Sequence, residues 1–174
     1  EFAGQIFLFL RNKLHMQLIH PDLTADRFRT SLGFIIGRAA RAMGNHLNQR
    51  FKAAGHEVTV EHWKVLNQLW LRDGMSQQEL SGLCARDKTS MTRLLDTMQS
   101  RNLIVRIGDK ADRRSKQVHL THRGEALRQD LIELADITLC QARKDILPEE
   151  LAICRKVLSQ LAQNLEEDQP ERPA

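Results

Sequence analysis

The sequence predicts a mainly α-helical chain that carries one small β-hairpin, and three observations lead there. Pro21 is followed by no proline until Pro148, so most of the chain has no enforced helix break. Apolar side chains recur at three- and four-residue spacing through much of that stretch, the period of amphipathic helices. The period changes at residues 103–107, a β-branched run, and at 117–120, where polar and apolar residues alternate. The composition agrees: of 174 residues 41% are hydrophobic and 28% charged, with 9 Gly and 4 Pro, which excludes disordered, collagenous and low-complexity chains. The length suits one ordinary domain, or a small domain with an appended oligomerisation element.

In chain order, Leu32, Ile35, Ile36, Ala39, Ala40, Met43, Leu47 and Phe51 mark a first amphipathic helix that Gly55 stops. Val60, Trp63, Leu66, Leu69 and Trp70 mark a second, ending at Asp73 and Gly74. Ser76 and Glu79 form an S-x-x-E capping box and open a short third helix from Gln77 to about Cys84. After a turn at 85–87, a fourth helix runs from about Lys88 to Arg101. Met91, Leu94, Leu95 and Met98 lie on one side of it, and Thr89, Arg93, Asp96 and Ser100 on the other. Two strands follow, with residues 108–116 as a charged hairpin tip. Thr121 is expected to open one long helix reaching Ile146, and Pro148, Glu149 and Glu150 to start a last one. In that last helix Leu151, Cys154, Leu158, Leu161 and Leu165 form a narrow stripe suited to a coiled-coil-like seam. The acidic tail from 167 is expected to fray.

The net charge of +4 is concentrated: residues 74–116 hold nine basic and five acidic side chains, and the rest of the chain sums to zero. A basic segment on a neutral body is the footprint of a polyanion-binding surface. Aromatic content of 5%, with no Tyr, argues against the stacking platforms that read single-stranded nucleic acid. Cys84, Cys140 and Cys154 are odd in number and form no CxxC, which fits a reducing cytoplasm. The apolar run at residues 6–10 is too short to span a bilayer and lacks a preceding positive charge, so no membrane association is expected. His15-Met16 and Glu1-Phe2 are what two common cloning sites encode, and residues 1–15 read as a vector-derived extension. No Gly-rich phosphate loop, Ser/His/Asp arrangement or H-E-x-x-H occurs, so neither enzymatic activity nor a cofactor is expected. His119 and His122 are three apart with no nearby carboxylate or thiol in sequence, too little for a metal site.

A short helix, a tight turn, a helix with a polar outward face and a hairpin with a basic tip together make a winged helix-turn-helix. The helix fits the DNA major groove, where Lys88, Thr89, Ser90, Thr92 and Arg93 would meet base edges and phosphates. Lys110, Arg113, Arg114 and Lys116 supply a second surface on the wing, with the narrow minor groove open to an extended arginine. Asp96 is an awkward member of the helix face, since a carboxylate repels phosphate, though it can accept from cytosine N4.

These residues carry a resemblance. The stretch from Asp109 through Lys110, Ala111, Asp112, Arg113, Arg114, Ser115, Lys116, Gln117, Val118, His119 and Leu120 to Thr121, followed by Gly124, resembles the wing of the multiple-antibiotic-resistance regulator (MarR) family, D-x-R-D-R-R-x-x-x-V-x-L-T. The segments 88–96 and 58–66 are similar to that family as well. Lys110-Ala111 departs from the arginine often found at the third wing position, and Asn102 stands where glycine is usual, implying a left-handed turn that Asn tolerates. The resemblance implies an obligate homodimer straddling a palindromic operator on double-stranded DNA, commonly as a repressor relieved by a small anionic or phenolic ligand, by cysteine oxidation or by metal. It also implies that Asp112 holds a wing arginine by an ion pair and that Arg114 enters the minor groove, with Arg113 beside it. The family's effector cavity makes Arg41, Asn45, His46, His62 and Trp63 candidates for a small aromatic or phenolic carboxylate, a cation beside an aromatic wall being what such a ligand needs. Trp63 also reads as an ordinary core aromatic. Cys84, between helix three and Arg86 and Lys88, is the candidate for a redox role through a thiolate favoured by positive neighbours. The expected division is residues 16–57 as an N-terminal dimerisation region, 58–121 as the winged lobe and 122–166 as C-terminal dimerisation helices. Two other readings remain: a thiol-redox-responsive DNA-binding regulator, and a winged-helix module that binds a protein.

Overall fold

The computed structural model describes residues 25–108 and 116–167. The suggested extension at 1–15, the wing-tip residues Lys110, Asp112, Arg113 and Arg114, and the tail beyond 167 lie outside the described residues. The chain divides into two compact units, residues 1–60 and 61–174.

In the first unit α1 (Ala25–Thr30) precedes α2 (Leu32–Ala53). Ser31 separates them: its hydroxyl donates to the Phe28 carbonyl at 2.8 Å and accepts from the Phe34 N–H at 3.3 Å, capping α2 as the preceding turn closes. The Phe28 and Phe34 rings meet edge to face, 5.5 Å apart. The short α1 was not anticipated from the hydrophobic period, being too brief to display one. At the far end of α2, Gly55 takes φ +80° while the His56 N–H bonds the Phe51 carbonyl and the Gly55 N–H that of Lys52, a Schellman ending that needs a left-handed residue. The Asn48 side chain accepts the Val60 N–H at 2.8 Å.

The winged lobe is built by α3 (Val60–Leu71), β1 (Met75–Ser76), α4 (Gln77–Leu83), α5 (Lys88–Ser100), β2 (Ile104–Gly108), β3 (Lys116–Leu120) and α6 (His122–Ala126). Two further helices follow, α7 (Arg128–Ala142) and α8 (Pro148–Glu167). The chain is mainly helical with a winged helix-turn-helix, as predicted. The sheet order is β1-β3-β2, antiparallel throughout; Val118 of β3 faces Met75 on one side and Arg106 on the other. The two-residue β1 is an addition to the predicted hairpin, too short for sequence alternation to reveal. Val65, Leu66, Leu80, Met91, Leu95, Met98, Val118 and Leu131 are fully buried and form the core of this unit.

The long helix expected from Thr121 to Ile146 is interrupted, and this corrects the sequence reading. Thr121 caps α6 through the Gly124 N–H, donates to the Asn102 carbonyl at 2.6 Å, and bonds the Leu103 carbonyl through its own N–H. Gly124 sits so close to the strand entry that a Cβ there would stand 2.1 Å from the Leu103 oxygen. The first turn is therefore fixed by the wing strands, and α7 starts anew at Leu127, which supplies no side-chain cap. At the end of α7 the helix stops at Ala142, and Asp145 takes a positive φ of 62° before Pro148 begins α8.

Candidate nucleic-acid interface

The turn between α4 and α5 is short because its backbone is bonded back onto α4. The Cys84 N–H reaches the Leu80 carbonyl, the Arg86 N–H reaches that of Ser81, and Ala85 takes φ 49°. Ser76 and Glu79 complete the capping box at the start of α4; Arg72 binds Glu79 at 2.5 Å, and these bonds hold the Glu79 carboxyl down at about 2. Asp87 caps α5 by accepting the Ser90 N–H at 2.9 Å, and the Ser90 side chain first, then this backbone bond, lower its carboxyl from the usual range.

From that start α5 presents the two faces its spacing predicts. Met91, Leu95 and Met98 are fully buried, while Lys88, Thr89, Arg93, Asp96 and Ser100 are exposed. The candidate contact residues are not equivalent, however. Ser90 is half-buried behind the cap. The half-buried Thr92 hydroxyl donates to the Lys88 carbonyl at 2.8 Å and accepts from the Gln77 amide at 2.6 Å. Its proton is spent within α5 and one of its lone pairs on the Gln77 amide that joins α4 to α5, so within the expected set on this helix Lys88, Thr89 and Arg93 are the exposed polar groups.

Asp96 has a partner that sequence alone does not reveal: the guanidinium of Arg106, on β2, bonds its carboxylate and also donates to the Gln99 side chain at 2.8 Å. At the base of the wing Lys116 is exposed. His119, on the same strand, is held by Asp73 at 3.0 Å, and the other Asp73 oxygen accepts the Leu120 N–H at 2.9 Å. Gly74, with φ +74°, lets the chain pass His119, since a Cβ there would lie 2.9 Å from the ring. His119 is thus part of the lobe's framing, and among the described residues no group of three His, Cys, Asp or Glu could hold a metal.

Behind this face, Trp70 donates its indole N–H to the Gly124 carbonyl at 3.2 Å and meets Trp63 edge to face at 5.6 Å. Glu61 binds Arg86 at 2.6 Å and Lys64 at 3.1 Å; burial raises the Glu61 carboxyl, but these two partners outweigh it and leave it below its usual value. Gln77, Arg106, Asp73 and Glu61 had no assigned role in the sequence because each acts through a residue distant in the chain.

Cys84 corrects its expectation. Burial is the largest influence on its thiol and pushes it up, and Lys64 and Arg86 do not offset that while Glu61 adds to it. Of the two neighbours expected to activate it, Arg86 is paired with Glu61 and Lys88 is not among the charges that act on the thiol, so the thiolate is disfavoured. Cys140 and Cys154 are exposed.

The five ligand candidates are divided between the units. Arg41 and Asn45 are exposed on α2, and the half-buried His46 has a buried Nδ1 with no partner among the described residues. In the other unit Trp63 is half-buried. His62 is buried, and desolvation first, then the charges of Arg101 and Arg86 against that of Glu61, bring it down to about 4. A neutral, enclosed imidazole at neutral pH is poorly suited to binding a carboxylate. Among the described residues no helix is long and apolar enough to cross a membrane.

Residues 58–116 match the sequence model of the MarR family. The transcriptional regulator PA3341 is 29% identical over 79% of this chain and 99% of its own, with a TM-score of 0.68. Two others share the fold at 21% identity. A variant of MarR from E. coli, solved in complex with operator DNA, covers 80% of this chain and 99% of its own with a TM-score of 0.73. BpsR of Bordetella bronchiseptica, whose DNA binding is regulated by 6-hydroxynicotinic acid, covers 78% and 95% with a TM-score of 0.70.

Proposed function

Residues 58–116 are a MarR-family domain, and from that premise we propose that the protein is a homodimeric transcriptional regulator that binds operator DNA in the cytoplasm. In this reading it is a repressor, released from a palindromic operator by a small aromatic or phenolic carboxylate. The observation that carries the reading is the outward face of α5, where Lys88, Thr89 and Arg93 stand exposed on a helix capped at its start and anchored to α4 and β2. Such a helix fits the major groove, and the wing arginines Arg113 and Arg114, with Lys110 and Lys116, would add backbone and minor-groove contacts.

The homodimer is supported by the terminal helices. On α2, Leu32, Ile35, Ile36 and Met43 are exposed, and on α8 so are Ile153, Val157, Leu158 and Leu165. Apolar stripes of this extent are seldom left to water, and a second copy of the chain would cover them. On this reading residues 16–57 and 122–166 are the dimerisation regions and 58–121 the DNA-binding lobe. The operator complex of the E. coli relative and the ligand control of BpsR support the DNA and effector parts respectively.

Selection from a random duplex pool tests this reading. An inverted repeat with half-sites one helical turn apart, ~34 Å, is expected, and a pool that never enriches contradicts it. The effector part has its own test. By linkage, an aromatic carboxylate that weakens operator binding must itself bind the DNA complex more weakly, by the same factor. If a broad set of such compounds leaves operator affinity unchanged while mild oxidant abolishes it, control passes to a thiol.

A further inference from the structure

The exposed face of the recognition helix carries a carboxylate where phosphates are expected, and the structure supplies its counter-charge from a different element. Asp96 is the only acidic residue of α5, and its side chain is 56% exposed. The guanidinium that neutralises it belongs to Arg106 of β2, is only 18% exposed, and simultaneously grips the Gln99 side chain at 2.8 Å. Asp96 and Gln99 are three apart and so share one face of α5. One planar fork therefore holds two side chains a turn apart on the recognition helix, which a lysine's single point of charge does not reproduce.

The Arg106 backbone is as well fixed as its side chain. It pairs with Val118 in the centre of the three-stranded sheet, and Val118 is fully buried and pairs in turn with Met75. Two residues beyond Arg106 is Gly108, the end of β2, from which the chain leaves towards the wing tip. Arg106 thus stands at the root of the wing and fastens that root to the recognition helix. The charge matters too: Asp96 lies three residues after Arg93, a spacing at which the two side chains can pair on a helix. Arg106 occupies the carboxylate, and Arg93 remains available to DNA.

We infer that Arg106 is a positioning residue for DNA binding, which clamps β2 onto α5 through Asp96 and Gln99 and so sets the wing relative to the recognition helix while masking the helix's one negative charge. The inference rests on the DNA-binding reading above, and the experiment separates the two. Affinity of the full-length protein for its selected operator duplex is measured across a salt series for the native chain and for Arg106→Met, Arg106→Lys, Asp96→Asn and the Arg106→Met/Asp96→Asn pair, each checked for an unchanged melting transition.

Arg106→Met is expected to weaken binding about tenfold or more and to make the salt slope of the dimer shallower by about two units, since one compensating charge is lost from each lobe. The double variant restores the native slope but stays weaker than the native chain, because neutrality returns and the clamp does not. Arg106→Lys keeps the slope and also binds more weakly, and it serves as the readout should Arg106→Met fail to fold. Native affinity in Arg106→Met, in Arg106→Lys or in the double variant would overturn the positioning role. A native protein without salt-sensitive duplex binding would overturn both this inference and the reading beneath it.

Discussion

Helices α5 and α8 are both amphipathic, yet they meet opposite fates. The 13 residues of α5 hide Met91, Leu95 and Met98 completely, whereas the 20 residues of α8 leave Ile153, Val157 and Leu165 in solvent. The recognition helix finds all its partners within its own lobe, from the Gln77 amide to the Arg106 guanidinium. The last helix has exposed apolar side chains that nothing among the described residues covers. The same hydrophobic period therefore has two outcomes: in α5 it orients a polar face, and in α8 it leaves an exposed apolar surface, which the proposed homodimer would cover.

The comparison breaks most severely where the lobe is tightest. Gly124→Val would drive a Cβ into the Leu103 carbonyl, 2.1 Å away, and should cost more than about 4 kcal/mol, a loss visible as a collapsed thermal transition. An unchanged melting temperature would show that the strand entry can yield. On the α8 side the expected signature is different in kind. If a partner chain covers the stripe, the native melting temperature rises with protein concentration, and Leu158→Asp abolishes that dependence together with the dimer seen by sedimentation. A Leu158→Asp protein that stays dimeric would remove α8 from the interface.

A smaller effect distinguishes the lobe's interior from its surface by pH. His62 titrates at about 4 when folded against an ordinary 6.5, so below 6.5 the unfolded chain takes up a proton that the native one refuses. Stability is full above 6.5 and is lost as pH falls towards 4, by at most about 3 kcal/mol. His62→Gln should flatten denaturation midpoints across that window, and an identical pH profile would contradict the burial argument. The Glu79 carboxylate, held at about 2 by Arg72 and Ser76, acts in a separate window: its contribution is present above its ordinary 4.5 and fades only at lower pH. Arg93→Ala, on the exposed face, should leave stability alone and cost about 1–3 kcal/mol of operator binding in a titration.

Much of this was legible in the sequence because it is local. The Ser76–Glu79 capping box, the left-handed Asn102 at φ 55° and the two faces of α5 all follow from residues within one or two turns of each other. What sequence could not yield depends on register between distant segments. Arg106 counts only as one more basic residue until β2 is laid beside α5, and Thr92 looks like a base reader until Gln77 is seen to occupy it. The break at Leu127 was hidden for the same reason, since the fit of Gly124 against Leu103 is tertiary. The charge motif at 109–115 is the part of the candidate site most explicit in sequence, and it lies outside the described residues.

The central claim, that the exposed face of α5 and the wing bind duplex DNA through its phosphates, is tested most directly by the salt dependence of affinity for the selected duplex. Counterion release predicts a linear fall of log K with log salt, with a slope of about −5 or steeper for two lobes together. A slope near zero, with affinity indifferent to salt, would contradict the account and leave the winged lobe as a surface for protein rather than for DNA.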